Sequence, residues 1–152
     1  MNKKKIIMDF IRKNDLAVVS TVNADGLPES AVVAYSETDK MEIIFGSFCT
    51  SRKNTNIKRN PCVAIVIGWN RDDMITVQYE GEAIEIPAGD SGRFKKMHLA
   101  KIPDSARYLD HPDERLFLVR PRWIRYSDLK KVPEEIFEVT FIVKQVNNPD
   151  IL

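Results

Sequence analysis

Between Ile43 and Arg71 there is not one acidic residue, yet Arg52, Lys53, Lys58, Arg59 and Arg71 all fall there. The whole chain carries a formal net charge of only +1, so the rest of it is net acidic and this stretch stands apart. Arg52 and Lys53 follow Thr50 and Ser51 at the start of a polar run, TSRKNTNIKRNP (50–61), which reads as a short helix stopped at Asn60-Pro61. Cations in a first helical turn oppose the macrodipole, at roughly 0.3–1 kcal/mol each. They are consistent with an anion held there by hydroxyls, free backbone N–H groups and the two side-chain charges, the chemistry of a phosphate site. The plain alternative is a solvated basic helix whose partners come from elsewhere in the fold.

Other candidate chemistry is weaker. GDSG (89–92) resembles the nucleophile motif of chymotrypsin-like proteases, but Arg93 replaces a further glycine, both histidines lie downstream and the chain is too short for two barrels. Asp90 or Ser91 capping a helix accounts for it. His98 and His111 lack metal-ligand spacing, although one histidine would suffice for a haem. There is no GxGxxG and no Walker sequence. Trp69, Trp123 and Tyr126 offer planar surfaces for a planar ligand or for a core or interface.

The elements that must position these residues follow from periodicity. Residues 3–13 place Ile6, Ile7, Phe10 and Ile11 on one helical face, with Asn14 ending the helix. LAVVSTV (16–22) and ESAVVAYS (29–36) flank NADGLP, a hairpin signal, and MEIIFGS (41–47) makes a third strand. CVAIVIGW (62–69) is a nearly continuous apolar run, expected to be buried on both faces. In MITVQYEGEAIEIP (74–87), Ile75, Val77 and Tyr79 share a side, and Gly81 marks a bulge after which Ala83 continues that side. Residues 88–111 read as two helical pieces separated near Pro103. The span 115–129 reads as a long strand in which Pro121 demands an edge, a bulge or a break. Residues 135–143 fit a last strand or a short helix. The connections between the first strands are too short for parallel crossovers, so six or so strands, hairpin-linked at the start with small helices between them, read as a mainly β fold, a closed or split barrel.

At 152 residues the chain is expected to form a single domain, 1–152. A dedicated nucleic-acid binder would normally be strongly basic, so none is expected as a partner. Asp9 and Arg12 interrupt the N-terminal apolar run, no cleavage site follows it, and no stretch approaches the ~18 apolar residues of a membrane span. Cys49 and Cys62 form neither a disulfide framework nor a zinc knuckle. The expectation is a cytoplasmic protein with reduced thiols, no metal and no membrane partner.

In order and spacing, LAVVSTVNADGLPESAVVAY, IIFGSFCTSRKNTNIKRNPCVAIVI and ITVQYEGEA resemble the pyridoxamine phosphate oxidase-like, FMN-binding split-barrel superfamily over roughly residues 10–87. The small general-stress-protein type of flavoprotein is the more similar branch. The resemblance implies a mainly β fold, a six-stranded antiparallel Greek-key split barrel with a few short helices, and a homodimer with FMN in clefts between subunits. It places Ser51, Arg52 and Lys53 on the FMN phosphate, Ser47 toward the flavin or ribityl chain, Thr76 at the cofactor and backbone groups of Val32, Val33 and Ala34 along the isoalloxazine ring. Trp123, with Tyr126 behind it, would approach the flavin from the partner chain. Where true pyridoxamine phosphate oxidases carry basic residues on the second strand, this chain has Ala31 and Ser36, and the tail after Arg125 lacks their substrate segment. The implied function is an FMN-dependent oxidoreductase with a small-molecule electron donor or acceptor, no catalytic side chain being singled out. The alternatives are a flavin carrier, a redox or stress sensor, or a deazaflavin- or haem-binding relative.

Overall fold

The computed structural model describes residues 1–142. Its elements, in order, are α1 (Lys3–Lys13), β1 (Leu16–Val22), β2 (Pro28–Ala34), β3 (Ser36–Glu37), β4 (Ile43–Phe48), α2 (Arg52–Arg59), β5 (Cys62–Ile67), β6 (Ile75–Glu85), α3 (Ser91–Lys101), a 3₁₀ turn (Pro103–Ser105), α4 (Ala106–Leu109), β7 (Glu114–Asp128) and β8 (Glu135–Thr140). The undecided segment from 135 is thus a strand; Val143 and the tail to 152 lie outside the described residues.

All strand pairings are antiparallel, in an eight-stranded sheet ordered β2-β1-β5-β6-β7-β4-β3, with β8 also pairing β7. Eight strands rather than six arise because the expected second strand divides and because β8 exists. The division explains the architecture. β2 pairs with β1 and β3 pairs with β4, yet only Tyr35 separates them, so one stretch of chain forms both ends of the sheet. The sheet therefore curls into a barrel that is joined at Tyr35 and split where β2 and β4 diverge. Tyr35 is fully buried and pins the joint: its backbone N–H donates to Asp15 O (3.0 Å) and its hydroxyl to Ile11 O (2.7 Å).

The interior is filled by the inward residues of alternating strands. Tyr79, almost wholly buried, donates its single hydroxyl hydrogen between two backbone carbonyls, Met41 O (3.0 Å) and Val119 O (2.9 Å). Helix α1 closes one end through Ile7, Met8, Phe10 and Ile11, with Asn2 capping its start and Asn14 its end. The hairpin turn is held by Asn23 Oδ1, which accepts from Asp25 N and Leu27 N (both 3.0 Å), while Gly26 takes φ +78°.

The expected bulge lies between Glu80 and Gly81, where the register against β7 steps past Arg122. This irregularity is what lets Pro121 sit in a 15-residue strand. Beyond it β7 changes neighbour along one edge, from β4 to β8. At 116–119 β7 is buried on both faces, because α3 packs Phe94 over a second small core of Ile44, Ile86, Leu109, Leu116 and Leu118.

β5 corrects the sequence expectation. Val63, Ile65 and Ile67 are buried, but Cys62, Ala64 and Val66 face outward and are exposed. No helix among the described residues covers that side. Among the described residues no helix is long and apolar enough to cross a membrane, and no cluster of His, Cys, Asp or Glu could hold a metal ion.

Candidate functional site

The divergence of β2 from β4 opens a cleft, and α2 starts directly at its rim because β4 ends only a few residues earlier. Two cavities follow the split. One, of about 290 Å³, is lined by Val32, Val33, Ala34, Ser47, Lys53 and Glu114 among others. The next, of about 450 Å³, is lined by Thr21, Glu29, Ser30, Ala31, Ser51, Arg52 and Lys53. Lys53 belongs to both.

Ser51 is the N-cap of α2: its hydroxyl accepts from Asn54 N (3.4 Å) and lies 2.6 Å from the Ser47 hydroxyl. Two hydroxyls from the end of β4 and the start of α2 are thereby placed together at a helix N-terminus. Arg52 is paired with Glu29 of β2. Glu29 also accepts from Asn56 Nδ2 (2.7 Å), whose amide reaches Thr21 Oγ1 (3.0 Å). The Asn56 and Arg52 hydrogen bonds, in that order, hold the Glu29 carboxyl below the usual range. Lys53 is different. It is half-buried with no carboxylate within ion-pair distance among the described residues, and burial pulls its ammonium below the usual lysine range, a shift that Glu114 opposes. Asn54, almost fully buried in the first turn of α2, has an Nδ2 with no acceptor.

The two readings of the basic stretch thus divide between two residues. Arg52 has the partner from elsewhere that a solvated helix calls for, whereas Lys53 makes no direct ion pair in the cleft among the described residues and feels only the field of Glu114. Two hydroxyls, an ammonium, a guanidinium and a helix N-terminus form a donor set suited to a phosphate. The opposite wall suits a flat apolar ring, since among the described residues β2 is an edge strand whose outer backbone edge carries no further strand beside Val32, Val33 and Ala34.

Thr76 and Trp123 are not brought to this cleft within the chain. By register Thr76 lies near the Leu16 end of β1, roughly 15 Å along the strands from Thr21 at a rise of ~3.3 Å per residue. Trp123 sits opposite Glu80 and donates Nε1–H to Glu138 Oε2 (3.1 Å). Both point to the outer face of the sheet, the face on which Ala64 and Val66 are exposed. Tyr126 is buried and stacks on Phe137 with centroids 5.0 Å apart.

Of the other candidates, Asp90 occupies the N-cap of α3 without a side-chain bond, and the Ser91 hydroxyl donates to Ala88 O (2.8 Å). His98 is buried at the inner wall of the cleft, its Nδ1 2.9 Å from Ser36 Oγ; burial, then Lys101, lowers its pKa. His111 lies in the turn before β7, against Phe48. Cys49 and Cys62 are free thiols. Sequence reasoning missed Glu29, Asn56 and Glu114. The first two belong to segments far apart in the chain, and the only available signal was the missing acidic complement of the basic stretch.

The sequence matches the pyridoxamine 5'-phosphate oxidase family over residues 4–128. The pyridoxine/pyridoxamine 5'-phosphate oxidase of Haemophilus influenzae (strain 86-028NP) is 34% identical over 76 residues, which cover 50% of this chain and 36% of that protein. The corresponding protein of Bacteroides fragilis is 29% identical over 108 residues, 71% of this chain and 45% of that one. The match therefore spans less than half the length of these curated relatives. Among solved structures, General Stress Protein 26 of Bacillus anthracis superposes with a TM-score of 0.71 at 24% identity, covering 91% of this chain and all (100%) of that one. A pyridoxamine 5'-phosphate oxidase-related, FMN-binding protein of Nostoc punctiforme gives 0.64 at 14% identity, covering 94% and 98%. The haem storage protein of Vibrio cholerae gives 0.63 at 17%, covering 80% and 92%. At such identities these structures speak for the fold. The family match runs from the helix that closes the barrel to the last residue of β7, taking in the split and the basic helix beside it, and the chain belongs to the pyridoxamine 5'-phosphate oxidase family.

Proposed function

We propose that the protein is an FMN-binding flavoprotein, an oxidoreductase that works as a homodimer. The observation that carries this reading is Lys53: a half-buried cation with no carboxylate within ion-pair distance among the described residues, beside two paired hydroxyls, in the wall of a cleft whose other side is an edge strand. The FMN phosphate would lie on Ser51, Arg52 and Lys53, with Ser47 toward the ribityl chain and Val32, Val33 and Ala34 along the ring. Bound flavin would supply hydride or electron transfer, while the protein binds, orients and shields it.

The second chain has a natural place. The outer face of β2, β1 and β5 presents Val32, Val18 and Val66 across neighbouring strands, with Val32 61% and Val66 39% exposed. Thr76 and Trp123 share that face, so a partner packed on it would offer them to the neighbouring cleft. The apolar run in β5, which reads as doubly buried, has its second burial explained in the same way. Pyridoxamine phosphate is not the substrate we favour: Ala31 lies in the cavity beside Arg52 without a charge, and Ser36 is buried and engaged with His98.

The test is FMN titration of the wild type and of Arg52→Ala/Lys53→Ala. The double variant should fold normally and bind FMN at least ~100-fold more weakly, since charge-assisted hydrogen bonds contribute about 1.5–3 kcal/mol each. Unchanged affinity would reject the phosphate assignment.

A further inference from the structure

Glu114, the first residue of β7, lines two cavities at once. One is the cleft described above. The other, of about 720 Å³, lies on its far side between the start of α3 and the turn before β7, with Lys95, Asp110, His111 and Arg115 among its walls. Glycine on β4 makes this possible. A Cβ at Gly46 would come within 2.0 Å of Glu114 Oε1, so the carboxylate occupies the space that any side chain there would fill.

Two neighbouring acids are engaged, Glu85 with Arg115 at 3.2 Å and Glu29 with Arg52 and Asn56. The Glu114 carboxylate has no hydrogen-bond donor and no ion-pair partner among the described residues. Charged and titratable groups line these two cavities with it from every neighbouring element: Lys53 from α2, Lys95 and His98 from α3, Tyr108 from α4, Asp110 and His111 from the turn, and the Glu85–Arg115 pair from the sheet. Burial raises its pKa, and Lys53, His111 and Lys95 pull it partly back.

We propose that Glu114 is the proton-accepting group of the cleft and that the larger cavity beside it is the substrate pocket. A ligand lying across the two must then turn an N–H or O–H toward the carboxylate. It donates a hydrogen bond and then the proton: the heteroatom–hydrogen bond breaks, its electron pair stays on the heteroatom, and an O–H bond forms on Glu114. The assignment rests on the reading of the cleft as a flavin site.

The experiment uses the full chain loaded with FMN, as wild type, Glu114→Gln and Gly46→Ala. Glu114→Gln should bind FMN no more weakly than wild type, because Glu114 is outside the phosphate cluster and its loss removes a negative charge. The visible spectrum of bound FMN is then titrated from about pH 4 to about pH 9. Wild type should show a protonation transition above the ordinary glutamate value of 4.5, separate from any due to His98, which every variant keeps. Glu114→Gln should lack it, and Gly46→Ala, which displaces the carboxylate, should lose it or return it to the ordinary range. If Gly46→Ala does not fold, the comparison with Glu114→Gln decides alone. Identical transitions in wild type and Glu114→Gln, or none in wild type, overturn the role of Glu114 and leave the flavin reading standing. Failure of the wild type to bind FMN overturns both.

Discussion

Arg52 stands largely in solvent with Glu29 on its guanidinium, while Lys53, one residue along α2, lines the cleft with only the longer-range field of Glu114 on its charge. An arriving phosphate must displace Glu29 from a direct ion pair at the first, whereas at the second it meets no direct ion pair among the described residues. Lys53→Ala should therefore weaken FMN binding more than Arg52→Ala, a ranking that fluorescence titration of the single variants checks. The raised pKa of Glu114 has its own consequence for stability. The folded state binds its proton more tightly than the unfolded state, so this group favours folding fully at low pH. That contribution is lost as pH rises from the ordinary carboxylate value through the folded one. Glu114→Gln should thus melt higher than wild type at pH 7 to 8, with the gain fading at about pH 4; an equal gain at both pH values would contradict the linkage. At this scale the sequence showed the cations and the hydroxyls, because they are contiguous. It could not show which cation is compensated, since Glu29 reaches Arg52 from a strand 23 residues earlier. Nor could it show Glu114, whose reach into the cleft depends on the absent side chain of Gly46.

At the scale of elements, the alternation in β6 and the paired signals of Gly81 and Pro121 were legible, since both residues follow backbone rules rather than context. The structure adds why they belong together. Gly81 opposes Pro121 where the register slips, and a Cβ at Gly81 would lie 2.3 Å from Arg120 O. That neighbour is backbone in a central pairing and cannot yield cheaply. Gly81→Ala should cost about 1–3 kcal/mol, read as a lower denaturation midpoint with an unchanged slope. A variant as stable as wild type would mean that the bulge adapts. The division of the second strand at Tyr35 was not legible. Both halves satisfy strand periodicity, and what separates them is the choice of partner, β1 for one and β4 for the other. That choice makes the split, and with it the cleft.

For the whole molecule, the two sides of the sheet differ in what covers them. The β4–β7 side carries α3 and its own small core, whereas the β2–β1–β5 side presents valines left without a cover among the described residues. A continuous apolar run such as 62–69 signals burial on both faces but cannot say whether the second cover belongs to the same chain. If a second copy supplies it, Val66→Glu should give a monomer by light scattering and lose FMN affinity along with the dimer, because the clefts sit at the margin of that face. A variant that stays dimeric would place the interface elsewhere. The barrel, its helices and the basic helix at the split were open to sequence reasoning because they rest on local pattern; the cleft required the three-dimensional path.

The central claim is that this cleft holds FMN, and the most direct measurement is the visible absorbance spectrum of the freshly purified protein, with the released chromophore identified by mass. The account predicts a two-banded flavin spectrum and a chromophore with the mass of FMN. A colourless protein that also fails to take up added FMN would contradict it, as would a Soret band from bound haem.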